Sequence, residues 1–436
     1  MPGPFFADQW FGQTAVRGPF TVAEQPRIVV YSSLFPSPAQ PGAGVFIRER
    51  MFRVARRLPL VVVAPVPWFP FQGLLRRLRP NFRPDAPRHE QQEGIEVHRP
   101  RFFSLPGLLK GLDGLSMALA SGFTLMRLRR RFRFNLIDAH FAYPDGYAAT
   151  LLGRWFRVPV TITLRGTEVP LSRFPARRKR MLRAIDRARH VFSVADSLRR
   201  HVGSLGADAG RIQVVGNGVD TYRFRPMPNA EARAALGIPA HVPVLVSVGG
   251  LVERKGFHRV IAALPELLGD HPELQYLVVG GACAEGDWSA RLAQQVEELG
   301  ISRHVRFLGH VPPDQLREPL SAADVFVLST RNEGWANVFL EAMACGLPVV
   351  TTDVGGNREV VSDPRLGRVV PFDDGPALVD ALGHALATDW DREFIRQYAE
   401  ANDWEQRVDT LCEVFERLVA DASESGVAGG KAFGKG

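Results

Sequence analysis

The stretch Val325-Phe-Val-Leu-Ser-Thr-Arg-Asn-Glu-Gly-Trp-Ala-Asn-Val-Phe-Leu-Glu-Ala-Met-Ala-Cys-Gly-Leu-Pro-Val-Val350 holds a strand, a loop, a helix and a second strand in direct succession. Val325–Leu328 is a short apolar run of the kind that forms a buried strand. The polar residues after it read as a loop, and Asn337 is placed to cap a helix that stops at Gly346. The next strand is expected at Pro348–Thr351. Glu333 therefore sits on a loop at a strand's carboxyl end, and Glu341 lies in the helix that follows.

The same alternation extends in both directions. In the first half, strands are expected at Arg27–Tyr31, Leu60–Ala64, Leu136–Ala139, Val160–Leu164, Val191–Val194 and Ile212–Val215. In the second they are expected at Val244–Val248, Tyr276–Val279, Val305–Leu308, Val325–Leu328, Pro348–Thr351 and Arg368–Val370. Apolar strands with helices between them predict parallel sheets covered on both faces. Two such sets in 436 residues predict two doubly wound α/β domains rather than one oversized core. Arg-Pro-Met-Pro-Asn within Phe224–Asn229 breaks the periodicity, so the domains are placed at 1–229 and 230–402. A final helix, capped by Asp403, is expected over 403–420, packing back toward the N-terminal domain, and residues 421–436 read as a disordered tail. Ligands of such sheets bind beyond the strands' carboxyl ends, here in a cleft between domains. Trp68–Pro87, with its prolines and arginines, reads as a mobile loop or interfacial segment.

Charge divides the chain unevenly. The net charge of +8 combines 36 Lys and Arg against 15 Asp and Glu up to Asn229 with 18 against 31 beyond it. A basic N-terminal half suits an anionic membrane surface, a phosphorylated substrate or nucleic acid. Fingers, helix-turn-helix signals and aromatic-rich binding strings are absent, which argues against nucleic acid. Hydrophobic content of 45% is ordinary for a globular chain. Met1–Phe20 lacks a basic segment followed by an apolar one, so a secretory signal is not expected. Gly114–Leu128, the longest apolar candidate, is interrupted by Ser116, Ser121 and Thr124 and is too short to span a bilayer. A cytoplasmic protein, peripheral on the inner membrane face, is the expectation. Cys283, Cys345 and Cys412 match no disulfide or metal spacing and read as small buried residues.

A helix N-terminus after a strand offers free N–H groups to an anion such as a diphosphate. Two carboxylates beside it, Glu333 and Glu341, would repel phosphate but can accept hydroxyls from a sugar and a ribose. The string Glu333-Gly-Trp-Ala-Asn-Val-Phe-Leu-Glu341 closely resembles the mark of the retaining GT-B glycosyltransferases of family 4: Glu, seven residues, then Glu. Ser247-Val-Gly-Gly-Leu-Val-Glu-Arg-Lys-Gly256, Val215-Gly-Asn-Gly-Val-Asp220 and Thr352-Asp-Val-Gly-Gly-Asn-Arg-Glu359 add to the resemblance. It implies a GT-B fold of two Rossmann-like domains and transfer of a hexosyl unit from a nucleoside-diphosphate sugar to a hydroxyl, with retention. It also implies that Glu333 contacts the donor sugar and Glu341 the ribose. Gly334, Trp335, Ala336, Asn337 and Val338 would then supply backbone amides.

Lys255, after a strand and a glycine pair, is placed to neutralise the leaving diphosphate. The family commonly has Arg where this chain has Gly250, and Arg254 is a substitute candidate, with solvent exposure as its alternative. Pro41-Gly-Ala-Gly-Val-Phe46 resembles the family's glycine loop, so the Gly44 backbone is expected near the diphosphate; a generic turn is the alternative. In Thr163-Leu-Arg-Gly-Thr-Glu168 many relatives have His in place of Arg165, facing the reacting sugar. Arg cannot act as a general base at neutral pH, so Arg165 is expected to bind a phosphate or carboxylate of donor or acceptor instead. His140, with Asp145 nearby, is a second acceptor-side candidate, or else a structural histidine. Asp373-Asp374 reads as turn chemistry rather than a metal site. No metal or other cofactor is expected.

Arg-rich segments at Leu74–Arg83, Arg127–Arg133 and Arg177–Arg189 point to an anionic inner leaflet and a lipid-linked saccharide or polysaccharide-precursor acceptor, with a soluble acceptor as the alternative. Leu125, Leu128 and Phe132 are spaced to give a helix an apolar edge beside the arginines, or to pack in the core. A GT-B sugar-nucleotide epimerase and a catalytically silent sugar-nucleotide binder are the alternative functions.

Overall fold

The structure, a computed structural model, describes residues 24–78, 82–83, 85–283 and 285–431, with side chains described to Glu424. The reading of Met1–Phe20 lies outside the described residues.

All twelve expected strands form, and they fall into two sheets. The N-terminal sheet runs in spatial order Ile212–Val214, His190–Ser193, Val160–Leu164, Leu136–His140, Ile28–Tyr31, Leu60–Val63, Ile95–His98 and His89–Gln92. Every pairing is parallel except the last, which is an antiparallel hairpin. The C-terminal sheet is parallel throughout, in order Val305–Gly309, Gln275–Val279, Val244–Val248, Val325–Leu328, Val349–Thr352 and Gly367–Val370. Both are covered on two faces, as continuous apolar strands require. In Ile28–Tyr31, Val29 and Tyr31 enter one core while Ile28 and Val30 enter another on the opposite face.

Four strands escape the hydrophobic pattern. His89–Gln92 is a polar edge strand, where one exposed side removes the need for apolar residues. Its partner Ile95–His98 mixes polar and apolar residues, and Val66–Trp68 and Arg101–Phe103 are only three residues long, so these too carry little signal. Trp68–Pro87 is accordingly not all loop, since it also holds the helix Gln72–Leu78.

Phe224 packs into the C-terminal core, and Val219 pairs with Asp403, so the chain crosses between domains twice, side by side. After the second crossing a helix runs from Trp404 to Lys431 and packs on helix Val45–Ala55 of the N-terminal domain. Val408, Leu411, Phe415 and Leu418 complete the core on that face. Asp403 Oδ1 accepts the Glu405 N–H at 2.6 Å, giving the expected cap. The helix continues past residue 420, where a disordered tail was expected, because extending a formed helix is far easier than starting one. Cys345 and Cys412 are buried, but Cys283 is exposed on a loop rather than buried. No helix among the described residues is long and apolar enough to cross a membrane.

Candidate active site

Two loops at the carboxyl ends of adjacent C-terminal strands are sewn together. Arg254 O accepts the Arg331 N–H at 2.8 Å and the Thr330 hydroxyl at 3.0 Å. That brings the two sequence-predicted clusters into one. Lys255 Nζ donates to Glu333 Oε1 at 2.6 Å, and Arg254 Nη1 reaches the same oxygen at 3.1 Å. Arg254 is also gripped by Glu285, at 2.8 and 2.6 Å, and bonds with Glu285 and Glu333 push its pKa further up. Solvent exposure alone therefore does not describe Arg254. At Gly250 a Cβ would lie 2.8 Å from Cys283 Sγ, so the family's Arg would require that cysteine to shift.

Beyond Glu333 the chain enters helix Asn337–Ala344. No side chain caps its first turn, so its N–H groups face the cleft without a protein partner from a cap. The expected cap is a correction. The residue before the helix is Ala336, and the Asn337 side chain instead crosses the cleft, accepting from Asn217 Nδ2 at 2.9 Å. The Trp335 side chain is also turned away: a Cβ on Gly216 would sit 2.8 Å from its ring, so only its backbone is left for a ligand. Glu341, one turn into the helix, has its carboxyl pushed up to about 7 by burial; Arg223 opposes that and Glu49 adds to it. Glu49 belongs to the N-terminal domain, so Glu341 faces across the cleft.

From the N-terminal side, helix Val45–Ala55 also begins without a side-chain cap. Gly44 precedes it at φ 71°, and a Cβ there would meet Leu34 O at 2.4 Å, so only glycine makes this turn. The loop Arg165–Glu168 is fixed by the Glu168 carboxylate, which accepts the N–H groups of Ala142, Arg165 and Gly166 at 3.1, 3.2 and 2.8 Å. Its main chain touches the other domain: a Cβ on Gly334 would lie 2.3 Å from Arg165 O.

His140 does not reach the cleft. It is fully buried beneath Arg165, whose Nε donates to its Nδ1 at 3.1 Å, and burial holds the imidazole neutral by lowering its pKa. Its place is in positioning, and the acceptor-side role drops out for want of access. Arg165 Nη1 then donates to Asn217 Oδ1 at 3.2 Å. A bonded chain His140–Arg165–Asn217–Asn337 thus runs from the N-terminal core to the head of the C-terminal helix. Asn217 was not singled out from sequence; it stands in Val215-Gly-Asn-Gly-Val-Asp220, but its partners are distant in sequence.

Asp374 Oδ1 caps helix Gly375–Ala387 through the Ala377 N–H at 3.0 Å, and Asp373 pairs with Arg259 at 3.2 Å, so both are structural. Among the described residues, His89, Glu96 and His98 bring metal-binding atoms within 4.8 Å of one another. The Arg131 guanidinium already donates to Glu96, at 2.5 Å, and to His98, at 3.1 Å.

Two Rossmann-like domains with this cleft define a GT-B glycosyltransferase. The "Glycosyl transferases group 1" family model matches residues 228–402, and the "Glycosyltransferase Family 4" model matches residues 80–223. A D-inositol 3-phosphate glycosyltransferase of Corynebacterium jeikeium (strain K411) is 30% identical over 417 residues, covering 89% of this chain and 96% of the relative. A GDP-mannose-dependent alpha-(1-6)-phosphatidylinositol monomannoside mannosyltransferase of Mycolicibacterium smegmatis is 35% identical over 237 residues, covering 52% of this chain and 61% of that one. Among solved structures, the sucrose-phosphate synthase of Thermosynechococcus elongatus superposes with a TM-score of 0.71 at 21% identity, covering 91% of this chain and 100% of that one. The chain belongs to glycosyltransferase family 4.

Proposed function

We propose that the protein moves a hexosyl unit, with retention and without a metal, from a nucleoside-diphosphate sugar to a hydroxyl of a lipid-linked saccharide. The observation that carries this reading is the Lys255–Glu333 pair at 2.6 Å beside the uncapped head of helix Asn337–Ala344. A diphosphate at that head gains the helix dipole and the N–H groups of Gly334 to Val338. Lys255, with Arg254 behind it, then neutralises the charge that develops as the diphosphate leaves. Glu333, released from part of its cation contact, accepts hydroxyls of the transferred sugar. Glu341 accepts those of the ribose, and the Gly44 turn brings a second helix N-terminus to the phosphates. Protein cations thus fill the role a divalent ion would take.

For the acceptor, helix Asp113–Phe132 supports a membrane surface, through different residues from those expected. Leu125 and Leu128 are buried. The exposed apolar stripe is Leu115, Leu119, Phe123 and Met126, at helical spacing, continued by Leu108, Leu109 and Leu112. Arginines flank it: Arg127 stacks on Phe123 at 4.4 Å and Arg177 on Phe174 at 4.3 Å. An apolar stripe rimmed by cations suits an anionic bilayer surface. The phosphatidylinositol mannoside in the name of the mycobacterial relative is in keeping with such an acceptor.

Calorimetric titration with UDP, GDP, ADP and their sugars tests the donor reading. One nucleotide should bind selectively and lose that binding in Glu341→Ala. A folded protein that binds none of them refutes it.

A further inference from the structure

Arg165 is only 8% exposed, yet its guanidinium forms no ion pair among the described residues. Its Nε is committed to His140 and its Nη1 to Asn217, while Nη2 is buried with no partner at all. The nearby carboxylates bond elsewhere: Glu168 serves three main-chain N–H groups, and Asp138 accepts the Thr161 hydroxyl at 2.7 Å. They favour the charged guanidinium from a distance, but burial and the repulsion of Arg50 outweigh them. A buried guanidinium with no carboxylate in contact is costly, and native proteins keep few buried donors unsatisfied.

The side chain is also held still. His140 fixes one edge, Asn217 ties it to the head of helix Asn337–Ala344, and Phe46 lies under the guanidinium with its ring centre 5.1 Å from Cζ. Nη2 is without a partner and Nη1 has spent one of its two N–H bonds on Asn217, so the Nη1–Nη2 edge still offers a two-nitrogen fork whose geometry matches the two oxygens of a planar carboxylate. Lys255 and Arg254 approach Glu333 from the C-terminal domain, whereas the Arg165 side chain comes from the N-terminal domain and meets the head of helix Asn337–Ala344 through Asn217, with its main chain against Gly334.

We propose that Arg165 recognises a carboxylate on one of the two sugars the protein joins, so that a hexuronate rather than a neutral hexose stands on the donor or the acceptor side. This rests on the donor-site reading above, which places the sugar at Glu333 and the diphosphate at Lys255. Lysine would supply the charge without the fork, and glutamine neither.

The test compares the wild type with Arg165→Gln and Arg165→Lys, using the nucleotide that the titration selects. In the donor arm, its glucosyl and glucuronosyl derivatives are titrated. Wild type should bind the glucuronosyl form at least ~10-fold tighter, Arg165→Gln should lose that preference, and Arg165→Lys should keep part of it. In the acceptor arm, transfer to a glucuronate-ended and a glucose-ended oligosaccharide is compared; a ~10-fold preference in kcat/KM that Arg165→Gln erases puts the carboxylate there. Free nucleoside diphosphate should bind all three proteins within the few-fold that losing the Asn217 bond alone can cause. The proposal is overturned if wild type shows neither preference, a result that needs no variant to fold. It is equally overturned if Arg165→Gln weakens the free diphosphate ~10-fold, which would assign the fork to phosphate. Free nucleotide that binds normally while both preferences are missing leaves the donor reading standing and removes only this one.

Discussion

The C-terminal sheet carries its chemistry in two short stretches, Arg254-Lys255 and Glu333–Glu341, which one pair of adjoining loops brings together. The N-terminal sheet assembles its part from His140, Arg165 and Asn217, each at the end of a different strand or loop. On the proposed reading the first region holds the nucleoside diphosphate, whose charge can be met by neighbours in one short string. The second faces the acceptor and is built from residues far apart in sequence, with an outer face that is basic and apolar at once. One region can be read from spacing; the other is placed by topology.

Separate variants should split the two regions. Lys255→Ala removes the main cation for the leaving group and should lower kcat by about 10²–10³, with vesicle binding unchanged in a flotation assay. If the loss is under tenfold, the leaving-group role fails. The paired change Leu119→Glu and Phe123→Glu should do the reverse, cutting binding to anionic vesicles by ~10-fold or more while sparing transfer to a soluble acceptor. Equal vesicle binding would remove the membrane from the account.

Glu341 gives a subtler separation. Its carboxyl, pushed up to about 7 by burial, is mostly protonated at pH 6 and mostly ionised at pH 8. Ribose hydroxyls donate to the ionised form, so nucleotide affinity should rise with pH across this window, by about tenfold for a single group. Titrations of Glu341→Gln should show a weaker affinity without that slope. The smallest effect is expected at the crossing. Asn217→Ala breaks the bonded chain between domains and should cost about 2–10-fold in kcat/KM, the worth of one or two hydrogen bonds. An effect confined to stability would make the chain structural only.

The fold was legible wherever strands were buried on both faces, because there every residue had to be apolar. Edge strand His89–Gln92 left no such trace, being polar and half in solvent. The placement of Glu333 on a loop and of Glu341 in the helix after it was legible because the two are continuous in sequence, and that of Lys255 because it follows directly on a buried strand. Asn337 was read as a cap from its local position, but a partner 120 residues away claims its side chain. His140 illustrates the same limit: a strand-end histidine looks accessible until an arginine from the next strand covers it. For Leu125, Leu128 and Phe132 the sequence left an exposed edge and a core face both open, because spacing defines a face without saying which face turns inward, and they pack in the core.

The two side-by-side crossings, at Val219 and Asp403, have a consequence for how the molecule can be recombined. Because helix Trp404–Lys431 completes the N-terminal core, the C-terminal half, which the proposed reading makes the donor side, is in topological terms an insertion spliced into the N-terminal body. A chimera that exchanges everything after the first crossing would strip the recipient of part of its own interior. One that exchanges only the segment between the crossings would transplant a donor preference as a cassette, leaving the acceptor body whole.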